Sequence, residues 1–95
     1  MKTSEKYFER KLREVVKRLG GIAIKIISPS FTGLPDRMVL MPGGRIWFIE
    51  LKSTGKSPSP RQRVVHELLC RLGFSVLVID SETTLNEFLS VIRTT

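Results

Sequence analysis

Hydrophobic and polar positions follow two rhythms along this chain, and the switches between them mark its elements. Residues 4–19 carry Phe8, Leu12, Val15, Val16 and Leu19 at helical spacing, a single stripe on an amphipathic helix. Thr3 or Ser4 caps its start, and Gly20-Gly21 ends it. Lys6, Arg10, Lys11, Arg13, Lys17 and Arg18 lie mostly off the stripe, as on a solvated face. At about 100° per residue, Glu14 falls opposite the stripe, whereas Glu5 and Glu9 fall on it or at its edge. An acid facing inward from the first turns is either a partner of the helix dipole or a site residue.

Beyond the glycines the rhythm shortens. Ile22–Ile27 is a β-branched run that predicts a strand, with Lys25 on its less buried side. Ser28-Pro29-Ser30 breaks it, and a loop runs on to Gly33. Asp36–Met41 and Arg45–Leu51 are the next two strands, and the short Pro42-Gly43-Gly44 link makes them an antiparallel hairpin. Trp47 and Phe48 point to opposite faces, which predicts a central strand covered on both sides, with the rings in the core rather than offered to bases. Ser53–Ser59 is a polar loop. Ser59 as N-cap and Pro60 at the first helical position open a helix to about Leu72, with Val64, Val65, Leu68, Leu69 and Leu72 as its core stripe and Gly73 as its stop. Phe74–Ile79 reads as a buried parallel strand, which completes a βαβ unit with a right-handed crossover. A last helix over Thr84–Ile92 presents Leu85, Phe88, Leu89 and Ile92. The order α-β-β-β-α-β-α predicts an α/β fold, a mixed four-stranded sheet flanked by helices. With 95 residues and no repeat or linker, residues 1–95 form one domain, small enough that a dimer is unsurprising.

Charge changes this picture more than composition does. Sixteen Lys and Arg against nine Asp and Glu leave a formal charge of +7, which suits an anionic partner such as nucleic acid. The single Cys70 has no disulfide partner and no zinc-binding companions; it sits in an apolar helical run, where a buried thiol in a reducing compartment is expected. No apolar run approaches the roughly 20 residues that span a bilayer, and no secretory segment opens the chain, so a cytoplasmic protein with no membrane partner is expected.

The chemistry concentrates in Gly33–Lys52, GLPDRMVLMPGGRIWFIELK. Glu50 and Lys52, two apart on a strand, project to one side. Pairing the hairpin brings Asp36, at the start of one strand, near Glu50, at the end of the other. Two carboxylates can hold a hard divalent cation with waters and phosphate oxygens, and the Leu51 carbonyl is a third candidate ligand. Lys52 is placed to orient an attacking water or offset charge on a pentavalent phosphate. Glu-x-Lys alone is commonly a surface pair; Pro35-Asp36 fourteen residues before Glu50, across a hairpin, changes that assessment. Lys25, Arg37, Arg45, Lys56, Arg61 and Arg63 lie beside or after these residues and are candidate phosphate contacts, Lys25, Arg37 and Arg61 foremost. His66, with no second histidine and no cysteine beside it, reads as a surface or interface residue.

The Pro-Asp…Glu-Leu-Lys pattern, after a helix with an inward glutamate and a strand, resembles the PD-(D/E)xK nuclease superfamily. The joined stretches IAIK, SPSFTGLPDR, MVLMPGGR, WFIELKS, SPRQ and LGF are more closely similar to the virus-type replication-repair nuclease (VRR-Nuc) family in its small stand-alone phage form, over about Glu5 to Asp80. The resemblance implies a restriction-endonuclease-like core and Mg²⁺- or Mn²⁺-dependent hydrolysis of DNA. It makes Asp36 and Glu50 the metal-binding acids, Lys52 the catalytic lysine and Gln62 a catalytic residue near the metal water or a phosphate. It adds a glutamate on the first helix that reaches the metal, often through water. Glu9 is favoured, because FERKL is also similar to the archaeal Holliday-junction resolvases of the superfamily; the inward angle argues for Glu5, and the choice stays open. The stand-alone members resemble homodimeric resolvases of four-way junctions, which implies a branched DNA substrate and a phage or prophage protein in a bacterial cytoplasm. A less selective nickase or flap nuclease and a non-catalytic nucleic-acid-binding module are the alternatives.

Overall fold

Ser4 begins the first helix by accepting the Tyr7 N–H on its hydroxyl at 3.3 Å. In the computed structural model, which describes residues 3–94, this helix is α1, Glu5–Arg18. Residues 1, 2 and 95 of the expected 1–95 domain lie outside the described residues. Helix α1 closes through two backbone bonds, Gly21 N–H to Val16 O and Gly20 N–H to Lys17 O, around Gly20 at φ 89°. That left-handed turn is what the glycine permits, and it aims the chain directly into the sheet.

Strands β1 (Ile22–Lys25), β2 (Arg37–Met41), β3 (Arg45–Leu51) and β4 (Ser75–Ile79) form one sheet in the order β1-β2-β3-β4. The first two pairings are antiparallel and the third is parallel. Helix α2 (Pro60–Arg71) crosses from β3 to β4, and α3 (Glu82–Thr94) follows. This is the expected mixed four-stranded sheet in the expected element order.

The core lies on one face of the sheet. Val39, Met41, Ile49, Leu51 and Ile79 meet Phe8, Leu12, Val15 and Val16 of α1 and Leu85, Phe88, Leu89 and Ile92 of α3. The opposite face is only partly covered, because α2 packs on β4 and leaves the β1–β2 half open. Several expectations change for that reason. Of the expected α2 stripe only Val65 is buried, and Val64, Leu68 and Leu72 are exposed. The inward positions are Gln62, Val65, His66 and Leu69 instead. Strand β4 is an edge strand rather than one buried on both faces, with Ser75 and Leu77 exposed. Cys70 is exposed, not buried. Trp47 and Phe48 are half-buried, each edge-on against another ring, Phe88 and Phe74.

Element ends shift for local reasons. Strand β1 stops at Lys25 rather than Ile27: Ile26 N–H still donates to Asp36 O at 2.8 Å, and then the chain turns out at Ser28-Pro29. Strand β2 begins one residue after Asp36, whose carboxylate takes the Leu51 N–H at 2.8 Å where a ladder bond would otherwise run. Helix α3 starts two residues early, because Ser81 caps it by accepting the Thr84 N–H at 3.1 Å. Among the described residues, no helix is long and apolar enough to cross a membrane.

Candidate active site

The β2–β3 ladder pairs Arg37 with Ile49. One step further along the same register, Asp36 faces Glu50, as the hairpin predicts. Their settings differ. Asp36 opens on a cleft of about 260 Å³ shared with Glu5, Lys6, Glu9, Lys25, Arg37 and Leu51. Glu50, beside Asp36 and under α2, is fully buried. Burial, followed by the neighbouring Asp36 charge, pushes the Glu50 carboxyl up to about 7, against the opposing pull of Lys52.

Besides Asp36, three side chains surround Glu50. Lys52 Nζ stands 3.1 Å from Oε2, so the Glu-x-Lys pair does project to one side. Gln62 Nε2 donates to the same oxygen at 3.0 Å. The amide of Gln62 has no freedom to turn over. Its Oε1 accepts the Ser59 N–H at 2.9 Å and its own N–H reaches the Ser59 hydroxyl at 3.2 Å, the reciprocal box that starts α2. The cap therefore aims the amide nitrogen at Glu50. The third neighbour is His66, one turn after Gln62 on the same side of α2, with Nε2 3.7 Å from Glu50 Oε1. Its side chain is 12% exposed, so the surface assignment is corrected. Desolvation holds its pKa below the ordinary histidine value, with the Lys52 charge acting in the same sense. The i, i+4 spacing from Gln62 was the signal in the sequence for this placement.

The glutamates of α1 stand at the rim. Glu9 accepts from Arg13 Nη1 at 2.8 Å and lies 4.0 Å from Arg37 Nη2. Glu5 is exposed on the same cleft. Among the described residues no group of three His, Cys, Asp or Glu side chains is placed to hold a metal ion. Asp36 and Glu50 nonetheless suit a hard cation. They are an all-oxygen pair, one of them a buried carboxylate with an unpartnered oxygen, Oε1, and Mg²⁺-type ions commonly use one or two protein carboxylates plus waters and phosphate oxygens.

Of the candidate phosphate contacts, Lys25 and Arg37 line the cleft, and Arg37 Nη1 also donates to Asp36 O at 3.1 Å. Arg61 is engaged elsewhere. Its Nε donates to Thr32 O at 3.2 Å and its guanidinium lies over the Phe31 ring. This clamp, which the sequence reading did not anticipate, ties the loop before Asp36 to the first turn of α2. Gly33 makes it possible: at φ +90° it lies where a Cβ would press on Val65 and Arg61.

Paired acids, a lysine two residues on and a glutamine from the following helix, on a βαβ frame, make this the candidate site for phosphodiester chemistry. No protein-family model matches the chain. A phage relative described as "Putative nuclease p44", from Acyrthosiphon pisum secondary endosymbiont phage 1, is 44% identical over 78 residues, 82% of this chain and 84% of that protein. A solved VRR_NUC domain superposes with a TM-score of 0.85 at 28% identity, over 93% of this chain and 97% of that one. The chain belongs to the VRR-Nuc family of nucleases.

Proposed function

We propose that this protein is a divalent-metal-dependent, structure-specific DNA endonuclease whose 95 residues act as a single nuclease domain, a homodimeric resolvase of four-way junctions. The observation that carries the reading is Glu50, a buried carboxylate beside Asp36 with Lys52 and Gln62 on one of its oxygens. An acid held at such cost, next to a second acid, is suited to meeting a cation. Asp36 and Glu50 hold Mg²⁺ or Mn²⁺, with the Leu51 carbonyl as third protein ligand and Glu9 or Glu5 reaching it through water. A divalent cation bound there supplies Lewis acidity to the scissile phosphate. Lys52 orients the attacking water and offsets charge on the phosphate. Gln62 fixes the Glu50 carboxylate, and Lys25 and Arg37 bind the flanking phosphates, with Arg61 contributing at the edge of the clamp.

The open sheet face supports a second copy as partner. Ile22, Ile24 and Ile46 on the sheet, with Phe74 and the α2 residues Leu68 and Leu72, are large apolar side chains left 37–64% exposed. A two-fold pairing there presents two active sites for symmetric cuts. The formal charge of +7 favours DNA, and shape and backbone dominate recognition. The phage relative supports a place of action in an infected or lysogenic bacterial cytoplasm.

The test is cleavage of a labelled four-way junction, flap and nicked duplex with Mg²⁺, Mn²⁺ or EDTA. Symmetric junction cuts that vanish in EDTA and in Asp36→Asn and Lys52→Ala are expected. Metal-independent cutting, or full activity in Asp36→Asn, refutes the mechanism; equal cutting of all three substrates refutes junction selectivity in favour of a general nickase.

A further inference from the structure

We propose that His66 is a positioning residue for Glu50, its Nε2–H donating to the carboxylate oxygen that neither Lys52 nor Gln62 holds. The inference rests on the nuclease reading of the site and extends it by one residue.

The geometry is specific. Glu50 Oε2 takes both Lys52 Nζ at 3.1 Å and Gln62 Nε2 at 3.0 Å. Glu50 Oε1 and His66 Nε2 are the only buried side-chain polar atoms without a hydrogen-bond partner among the described residues, and they face each other at 3.7 Å. That distance is too long for a hydrogen bond and close enough that a small rotation of either side chain makes one. Two buried polar atoms left unpaired are costly, and one shared bond satisfies both. Helix α2 presents Gln62 and His66 one turn apart, so two donors from one helix bracket the two oxygens of one carboxylate.

The direction of the proton follows from the state that works. A carboxylate that meets a cation is ionised and has no proton to give, so only an imidazole protonated at Nε2 completes the pair. The bond uses one lone pair of Oε1, leaves the other for a cation and fixes the carboxylate plane, as partners of ligating carboxylates do. The competing arrangement, a protonated Glu50 donating to a bare Nε2, belongs to a Glu50 that holds no cation.

His66 is the only histidine in the chain, so its ring nitrogens can be read in the wild-type protein without assignment by mutation. Long-range ¹H–¹⁵N correlation at about pH 8, above the ordinary histidine pKa of roughly 6.5, with Mg²⁺ present, is expected to show the Nε2–H tautomer; the Nδ1–H tautomer overturns the proposal. In parallel, calorimetric Mn²⁺ binding without DNA compares wild type, His66→Gln and His66→Phe, with thermal unfolding in EDTA to report folding. His66→Phe is expected to weaken Mn²⁺ binding about tenfold or more, and His66→Gln, which keeps an N–H donor, to stay within about threefold of wild type. Wild-type affinity in a folded His66→Phe, or equal loss in both variants, overturns the positioning role while leaving the nuclease reading intact. A wild-type chain that binds no Mn²⁺ overturns both.

Discussion

Glu50→Gln should stabilise the metal-free protein, and by an amount that depends on pH. In the unfolded chain this carboxyl titrates near 4.5; folded, it is pushed up to about 7, first by burial and then by Asp36. Between those values the native state binds a proton that the unfolded state has released. Stability contributed by the protonated form is therefore full below about 4.5 and is lost as pH rises through 7. Each pKa unit corresponds to about 1.4 kcal/mol, so the ionised, metal-free Glu50 costs about 3 kcal/mol above pH 8. Gln62 and Lys52 can still donate to a glutamine oxygen there, and its amide meets Asp36 without charge repulsion. In EDTA at pH 8, Glu50→Gln is expected to melt roughly 10–20 °C above wild type, with the gap closing towards pH 5. Adding Mn²⁺ at pH 8 should stabilise wild type alone, by about 2.7 kcal/mol at a hundredfold excess over Kd, which closes the gap, and by about 4.1 kcal/mol at a thousandfold excess, which reverses the order. Circular dichroism melts from pH 5 to 9, with and without metal, make the measurement. Melting temperatures within about 2 °C of each other across that range in EDTA, or a wild type that gains stability from pH 5 to 8 while Glu50→Gln does not, would refute the account of Glu50 as a carboxylate held charged at a cost.

Gln62 separates two roles cleanly. Gln62→Glu keeps an oxygen for the Ser59 cap but sets a carboxylate against Glu50, so it should lower Mn²⁺-dependent cleavage about a hundredfold or more, whereas unchanged cleavage would make Gln62 only a cap. Gly33→Ala should destabilise the chain by about 1–3 kcal/mol, because a non-glycine residue is strained at φ +90° and its Cβ would press on Val65; urea unfolding reads it, and an unchanged midpoint would deny the tight loop–helix contact. Cys70 is exposed, so the folded protein should react with one equivalent of Ellman's reagent at the rate of an open thiol, and slow reaction released only by denaturant would restore the buried assignment. Leu72→Lys, on the open face, should convert a dimer to a monomer in light scattering while its thermal stability changes little; a dimer that persists points to another surface.

What the sequence made legible was whatever repeats at short range. The α1 stripe from Phe8 to Val16 is buried as its spacing says, and the Pro42-Gly43-Gly44 link places Asp36 across from Glu50 because a hairpin register is counted in single residues. The same logic fails for α2. Its apolar positions outnumber its buried ones, since spacing reports which residues share a side and not whether anything lies against that side. Val64, Leu68 and Leu72 form a sound stripe that the described residues leave exposed. A surplus of that kind faces outward, where the proposed second copy would meet it. His66 shows the converse. No companion histidine or cysteine marked it in the sequence, because its partner is a glutamate sixteen residues earlier on another element. The cue lay in the helix itself: Gln62 is held by the Ser59 cap, and the residue four further along shares its direction. Once Glu50 is placed under α2, the cap that starts the helix also decides which side chains reach the carboxylate. In the proposed site, folding and chemistry meet at the same residue, Gln62, and a change that spares one while damaging the other is the sharpest way to separate them.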